Sequence, residues 1–302
     1  MNVAAFYKFL DLKDPQTFRD ELQRLCEEQN LLGTILVATE GFNGTIAGSD
    51  EGILAVFSWL RERLSIAERI DARRTESEEA PFRRMRVKVK NEIVTLGRPD
   101  ILPHQRTGTH VPPAQWNALI DDPNVVVIDT RNHYEVEVGT FSRALDPGTD
   151  NFRQFADFAA ELAAGSTDRP LAMFCTGGIR CEKATALMLE LGFDDVYHLQ
   201  GGILNYLSEM DAEENRWKGE CFVFDTRVAV DRDLAEGGYV QCHACRRPLS
   251  TDDLHSADYR EGVSCPHCAD ELEADRELRL EERKKQVALA KQRGDTHIGP
   301  KV

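Results

Sequence analysis

The run Cys175-Thr176-Gly177-Gly178-Ile179-Arg180 follows the short apolar stretch Leu171–Phe174 and leads into a helical pattern with Ala184, Leu187, Met188 and Leu191 on one face. Strand, glycine turn and helix start, in that order, aim several backbone N–H groups at one sulfur. The positive end of the helix and the Arg180 guanidinium both favour a thiolate over a thiol. Cys175 is therefore read as a nucleophile and Arg180 as its cationic partner. Thr176, Gly177, Gly178 and Ile179 form the anion cradle between them. With four residues separating cysteine from arginine, the loop is tighter than the Cys-x5-Arg loop that wraps a phosphate, and suits a compact anion or a bound sulfane sulfur.

Working outward, Val125-Val126-Val127-Ile128-Asp129-Thr130-Arg131, followed by Glu135 and Gly139, reads as a buried parallel strand ending in a polar turn. Downstream, Val196–Leu199 and then Gly201-Gly202-Ile203 repeat the strand, turn and helix order. These units predict an α/β domain with a doubly wound parallel sheet and the cysteine at the carboxyl end of a central strand. Asp129, Arg131 and Glu135 are expected to form an ion-pair network that orders the loop. Cys181 is either a resolving thiol or, the preferred reading, a residue facing the core of the helix start.

At 302 residues the chain suits two or three domains. Hydrophobic residues make up 41% and charged ones 29%, with no apolar run approaching a membrane span. The start Met1-Asn2-Val3-Ala4-Ala5-Phe6-Tyr7 lacks the basic and apolar stretches of a signal peptide, and a cytoplasmic location is expected. Eight cysteines, four of them in Cys-x-x-Cys pairs, fit a reducing compartment better than a disulfide scaffold.

Residues 1–98 alternate strand and helix signals and predict a ferredoxin-like α+β domain, a helix layer on an antiparallel sheet. Strands are expected at Ala4–Leu10, Leu32–Thr39 and Thr45–Ala47, with helices from Pro15 to about Gln29 and Asp50 to about Leu64. Glu40-Gly41-Phe42-Asn43-Gly44 is read as the intervening turn, its glycines supplying positive φ rather than a close approach to phosphate or base. The net charge of −15 argues against nucleic acid, yet Arg83, Arg84, Arg86, Lys88 and Lys90 put five positive charges into nine positions of a half-buried strand pattern. That strand is either a charge-protected edge or an RNA-binding face. Residues 99–112, with Pro99, Pro103, Gly108 and Pro112, read as a linker, and 113–219 as the central domain.

Residues 220–302 contain Cys242-His243-Ala244-Cys245 and Cys265-Pro266-His267-Cys268, nineteen residues apart. Two knuckles at that spacing predict a structural zinc site on Cys242, Cys245, Cys265 and Cys268, with His243 and His267 turned to solvent. The stretch Asp270–Arg293 is rich in charge and reads as a solvated helix carrying pairs such as Glu281 with Lys285.

Residues from about 110 to 215 resemble a rhodanese domain, which implies a persulfide on Cys175. Together with Glu40-Gly41-Phe42-Asn43-Gly44-Thr45-Ile46, the stretch Arg86–Gly97 and the paired knuckles, the chain resembles the bacterial rhodanese-domain tRNA uridine(34) hydroxylase family over residues 1–270. That resemblance implies oxygen-dependent conversion of the wobble uridine to 5-hydroxyuridine, with dioxygen as co-substrate, the tRNA anticodon loop as partner and Cys175 as the reactive cysteine. The alternative is a persulfide sulfurtransferase acting on a small acceptor, a carrier protein or tRNA. The sequence shows no flavin, haem or nicotinamide signature and no convincing two-histidine-plus-carboxylate iron site.

Overall fold

The computed structural model describes residues 1–67, 70, 72–77 and 80–294. The first domain runs β1 (Asn2–Phe9), α1 (Pro15–Glu28), β2 (Leu32–Ala38), β3 (Gly41–Gly48), α2 (Asp50–Arg63), β4 (Ala72–Glu76) and β5 (Met85–Val89). Both helices start on sequence signals. Asp14 accepts the Thr17 N–H before Pro15, and Ser49 accepts the Gly52 N–H. Phe18, Leu22 and Cys26 of α1 and Ile53, Val56 and Leu60 of α2 are buried against Phe6, Ile35, Val37, Phe42 and Ile46 of the sheet.

This sheet has the order β4-β1-β3-β2-β5. Four strands pair antiparallel, as expected, but β5 adds parallel to β2, so the sheet is mixed. β4 lies outside the sequence expectation because Ala-Arg-Arg-Thr-Glu has no apolar alternation to betray it. The expected turn over residues 40–44 is also shorter. Ala38 pairs with Gly41, leaving only Thr39 and Glu40 between them, and Gly41, Asn43 and Gly44 belong to β3. Gly41 has the positive φ expected, +133, and also answers crowding, since a Cβ there would lie 2.0 Å from the Lys8 carbonyl oxygen; Gly44 answers crowding alone, with a Cβ 2.7 Å from Ile35 Cγ1. Residues 92–96 close the domain without regular secondary structure.

The stretch read as a linker is folded. Ile101 is buried in the next core, and Thr109–Val111 forms β6, so the central sheet begins before residue 113. There follow α3 (Pro113–Asp121), β7 (Val126–Asp129), α4 (His133–Val136), β8 (Gly139–Phe141), α5 (Phe155–Gly165), β9 (Leu171–Phe174), α6 (Ile179–Glu190), β10 (Val196–Leu199), α7 (Gly202–Glu209) and β11 (Trp217–Gly219). The strands β6-β10-β9-β7 are all parallel. Alternate residues of β9 feed both faces. Leu171 and Met173 join α5 and α6 through Phe155, Ala184, Leu187 and Met188, while Ala172 and Phe174 join α3 and α7 through Trp116, Ile203 and Leu207. This is the doubly wound sheet expected.

The remaining segment forms two small ribbons, β12 (Cys221–Phe222) with β13 (Ala229–Val230) and β14 (Val240–Gln241) with β15 (Pro248–Leu249), then α8 (Thr251–His255) and α9 (Ala274–Gln292). Glu277 and Glu281 of α9 reach Arg260 at 2.7 and 3.6 Å, so acids of the charged helix serve the knuckle segment. Among the described residues no helix is long and apolar enough to cross a membrane.

One buried ion cluster joins the first two domains. Lys183 of α6, 0% exposed, places Nζ 2.6 Å from Glu40 Oε2 in the β2–β3 turn and 2.6 Å from Glu92 Oε2. Glu40 also accepts the Ile93 N–H at 2.7 Å, and Glu92 accepts the Leu96 and Gly97 N–H groups at 3.0 and 2.9 Å. Removing the cation strands two buried carboxylates. Lys183→Met is therefore expected to cost about 3–5 kcal/mol in denaturant unfolding, and adding Glu40→Gln and Glu92→Gln should return most of it.

Candidate active site

Cys175 caps β9, which lies between β10 and β7 at the middle of the sheet. Its Sγ accepts the Gly178 N–H at 3.1 Å. Gly178 is the N-cap of α6 with φ +95, a conformation that favours glycine, and a Cβ there would sit 2.9 Å from Tyr7 Oη of the first domain. The second glycine turn braces the first. Ile203 and Leu204, at the start of α7, donate N–H groups to the Cys175 and Thr176 carbonyls at 2.9 and 3.2 Å. A Cβ on Gly202 would lie 2.5 Å from the Cys175 carbonyl oxygen, so the two backbones meet only through glycine.

The residue is 1% exposed, yet its sulfur points at an amide rather than into hydrocarbon alone. Burial by itself would raise its pKa. The Cys181 thiol, the Arg180 charge and the Cys181 and Gly178 N–H groups outweigh that and hold Cys175 down to about 6. Cys181 is fully buried in the core at the start of α6, as in the preferred reading, and its thiol lies beside Cys175. Its own pKa is driven far up by burial and by the neighbouring Cys175 thiolate. Thr130 Oγ1 lies 3.5 Å from its Sγ.

Arg180 does not reach the sulfur through a hydrogen bond. Its guanidinium grips Glu135 with both terminal nitrogens, at 2.6 and 2.7 Å, and Nη2 approaches Thr176 Oγ1 at 3.4 Å. Arg180 thus favours the thiolate through its field. The other pair is separate: Arg131 meets Asp129 at 2.9 and 2.6 Å, donates to the Gly139 carbonyl at 2.6 Å and stacks on Trp217 with 5.1 Å to the ring centre. Asn132 and Glu135 form a capping box on α4 that fixes the carboxylate Arg180 grips. Ile179 is half-buried, and Gly177 is the exposed residue of the cradle; a Cβ there would meet nothing within 4 Å.

Four residues outside the sequence expectation complete the surroundings. Tyr7 of β1 donates to Glu182 Oε1 at 3.3 Å, and burial, then the Glu182 and Cys175 charges, raise its pKa well above the usual value. His110 of β6 and His198 of β10 are directly paired across parallel strands, with ring centres 4.1 Å apart. His110 Nε2 lies 3.0 Å from Glu182 Oε1, which raises its pKa, whereas burial takes His198 down to about 4. No local motif announces these residues, since they come from four elements.

The remaining sequence candidates fall elsewhere. Arg83, Arg84, Lys88 and Lys90 are exposed and Arg86 half-exposed on or beside β5, an edge strand whose Val87 N–H is taken by Gln23 Oε1 of α1 at 2.6 Å. Cys242, Cys245, Cys265 and Cys268 converge so that their sulfurs lie within 4.8 Å of one another, a cluster able to hold a metal ion. His243 is exposed, but His267 is half-buried and sits 3.3 Å from Asp253 Oδ1, so it does not simply face solvent.

A thiolate absorbance titration, wild type minus Cys175→Ser, should show a midpoint near pH 6. Below that pH the sulfur is protonated, and above it the thiolate persists. Cys181→Ala removes a hydrogen bond to the thiolate and should move the midpoint upward.

Residues 1–93 match the family described as UPF0176 acylphosphatase like domain, and residues 112–209 the rhodanese-like domain. Among solved structures, a rhodanese-like domain from Anabaena sp. is 14% identical, with a TM-score of 0.30 over 37% of this chain and 80% of its own. A rhodanese-related protein from Thermoplasma volcanium is 19% identical, with a TM-score of 0.28 over 33% of this chain and 92% of its own. A tRNA uridine(34) hydroxylase from Agrobacterium fabrum is 50% identical over 297 residues, 98% of this chain and 94% of the relative. The chain belongs to the tRNA uridine(34) hydroxylase family.

Proposed function

We propose that this chain is a tRNA-modifying oxidoreductase that hydroxylates the wobble uridine to 5-hydroxyuridine, with dioxygen as co-substrate and Cys175 as the reactive group. The observation that carries the reading is 50% identity along almost the whole chain to a tRNA uridine(34) hydroxylase. The site supports it chemically. A cysteine held near pKa 6 is a thiolate at neutral pH, and a thiolate is the nucleophilic form of sulfur. Arg180 and the Gly178 N–H keep the charge on sulfur, Thr176, Gly177 and Ile179 complete the proposed anion cradle, and Glu135 orients Arg180. Asp129 and Arg131 order the turn behind them. Gly177 is the exposed point of the loop and marks the proposed side of approach.

The wobble base is single-stranded and can be splayed out with little unpairing cost. Arg83, Arg84, Arg86, Lys88 and Lys90 are the proposed partners of the anticodon-stem phosphates. Their strand ends beside the β2–β3 turn, where the Lys90 backbone N–H donates to the Val37 carbonyl at 2.8 Å, two residues before Glu92 meets Lys183. A backbone held on β5 is thus tied directly to the domain that carries the thiolate.

The C-terminal metal is proposed to be a structural zinc. A tetrahedron with Zn–S distances of about 2.3 Å has edges of about 3.8 Å, and the Cys245–Cys265 and Cys265–Cys268 sulfur separations are 3.7 and 3.6 Å. The ion would hold the two knuckles together in a segment with little apolar core.

Three outcomes check these readings. In cells lacking the native gene, wild-type chain should restore 5-hydroxyuridine in digested tRNA and Cys175→Ser should not; a nucleoside carrying added sulfur instead would mark a sulfurtransferase. Replacing Arg84 and Lys88 by Ala should weaken tRNA binding and flatten its log–log salt dependence by about one for each phosphate that is no longer neutralised. Elemental analysis should find one zinc per chain, absent in Cys265→Ser, whose knuckles should become protease-sensitive.

A further inference from the structure

His110, Glu182 and His198 come from β6, α6 and β10, and each offers one ligand atom within 4.8 Å of the others. Glu182 is in the first turn of the helix capped by Gly178, four residues on, so the cluster stands about one helical turn from the Cys175 loop. Two features separate it from an ordinary hydrogen-bonded group. His198 is 1% exposed, and neither of its ring nitrogens has a hydrogen-bond partner of normal geometry. Buried polar atoms are almost always paired. The one backbone group that interacts with this imidazole, at Gly108, forms no hydrogen bond of normal geometry with it, so a buried ring beside a second imidazole and a carboxylate has ligand capacity to spare. The His110 ring lies 4.1 Å from the His198 ring, centre to centre, and its Nε2 is 3.0 Å from Glu182 Oε1.

We propose that His110, Glu182 and His198 bind a divalent first-row transition metal ion, distinct from the four-cysteine cluster. Two imidazoles and a carboxylate, with the other positions open, form the donor set habitual for non-haem iron(II). The thiolate cluster selects softer binding and takes zinc. Tyr7 then acts from outside the first coordination sphere: its hydroxyl donates to Glu182 Oε1 at 3.3 Å and orients the carboxylate. Thr107 does the same for the helix by donating to the Glu182 carbonyl at 3.0 Å. Half-exposed His110 leaves the ion a route to solvent and to small ligands. The inference deepens the proposed hydroxylase reading by giving it a candidate metal beside the thiolate.

The test uses the full chain with its cysteine cluster filled by zinc, titrated anaerobically with cobalt(II) as the probe. Expected is one further equivalent, seen by calorimetry and by weak visible d–d bands without a thiolate charge-transfer band. His110→Ala, at a half-exposed position, should lose that equivalent with zinc content and melting temperature unchanged, and Glu182→Gln should lose it too. Absence of a second equivalent in wild type, or undiminished binding in His110→Ala and in His198→Gln, overturns the site. Hydroxylation of tRNA is measured separately. A chain that hydroxylates but binds no second ion defeats the metal site alone, and one that binds the ion but leaves tRNA unmodified defeats the functional reading alone.

Discussion

The arrangement rests on one lysine. Lys183 projects from α6 into a space closed by Glu40 of the first domain and by Glu92 of the segment that joins the domains, and all three are almost wholly buried. A buried ammonium is tolerable only when its charge is answered, and two carboxylates together are tolerable only with a cation between them. Burial raises the Glu40 pKa even with Lys183 beside it, which measures how dry the place is. The cluster therefore sets the position of the first domain on α6, a demand that apolar packing alone would leave loose.

From that docking follows the environment of the sulfur. α6 is the helix whose N-terminus meets Cys175, so the domain anchored to Lys183 also brings Tyr7 over Gly178 and onto Glu182. The pocket wall is thus shared between domains. Desolvation works against a thiolate, and the Cys181 thiol, the Arg180 charge and two backbone amides overcome it. Arg180 can supply its field without collapsing onto the sulfur because Glu135 already occupies its fork. The same device recurs in Arg131, whose fork is filled by Asp129. Each guanidinium is held by a carboxylate supplied by the β7–α4 region, so the polar turn after β7 serves as a positioning frame.

Much of the fold could be read from local pattern. The apolar run at β9, the glycine pair and the helical face of α6 are contiguous, and short-range rules govern each. The knuckle cysteines and the caps at Asp14 and Ser49 are equally local. What escaped was non-local or lacked apolar rhythm. β4 is a strand because β1 offers it an edge, not because Ala72–Glu76 alternates. Gly41 has the positive φ its turn reading implied, but it and Gly44 also lie in a strand where Lys8 and Ile35 pass too close for a side chain. Residues 99–112 read as a linker from their prolines, but Thr109–Val111 is recruited by β10.

By itself the sequence determined the reactive loop, the alternation that makes the central sheet doubly wound, and the spacing of the four cysteines, because these depend on neighbours a few residues apart. Tertiary structure alone decided that Lys183 would meet Glu40 and Glu92, that Tyr7 would cover the loop, and that His110, Glu182 and His198 would converge. Those groups are scattered along the chain, and each sits in an ordinary stretch of sequence. Only the closing of the sheet and the burial of a charge forces them together, since a buried ion or imidazole must find its partner in space rather than in sequence.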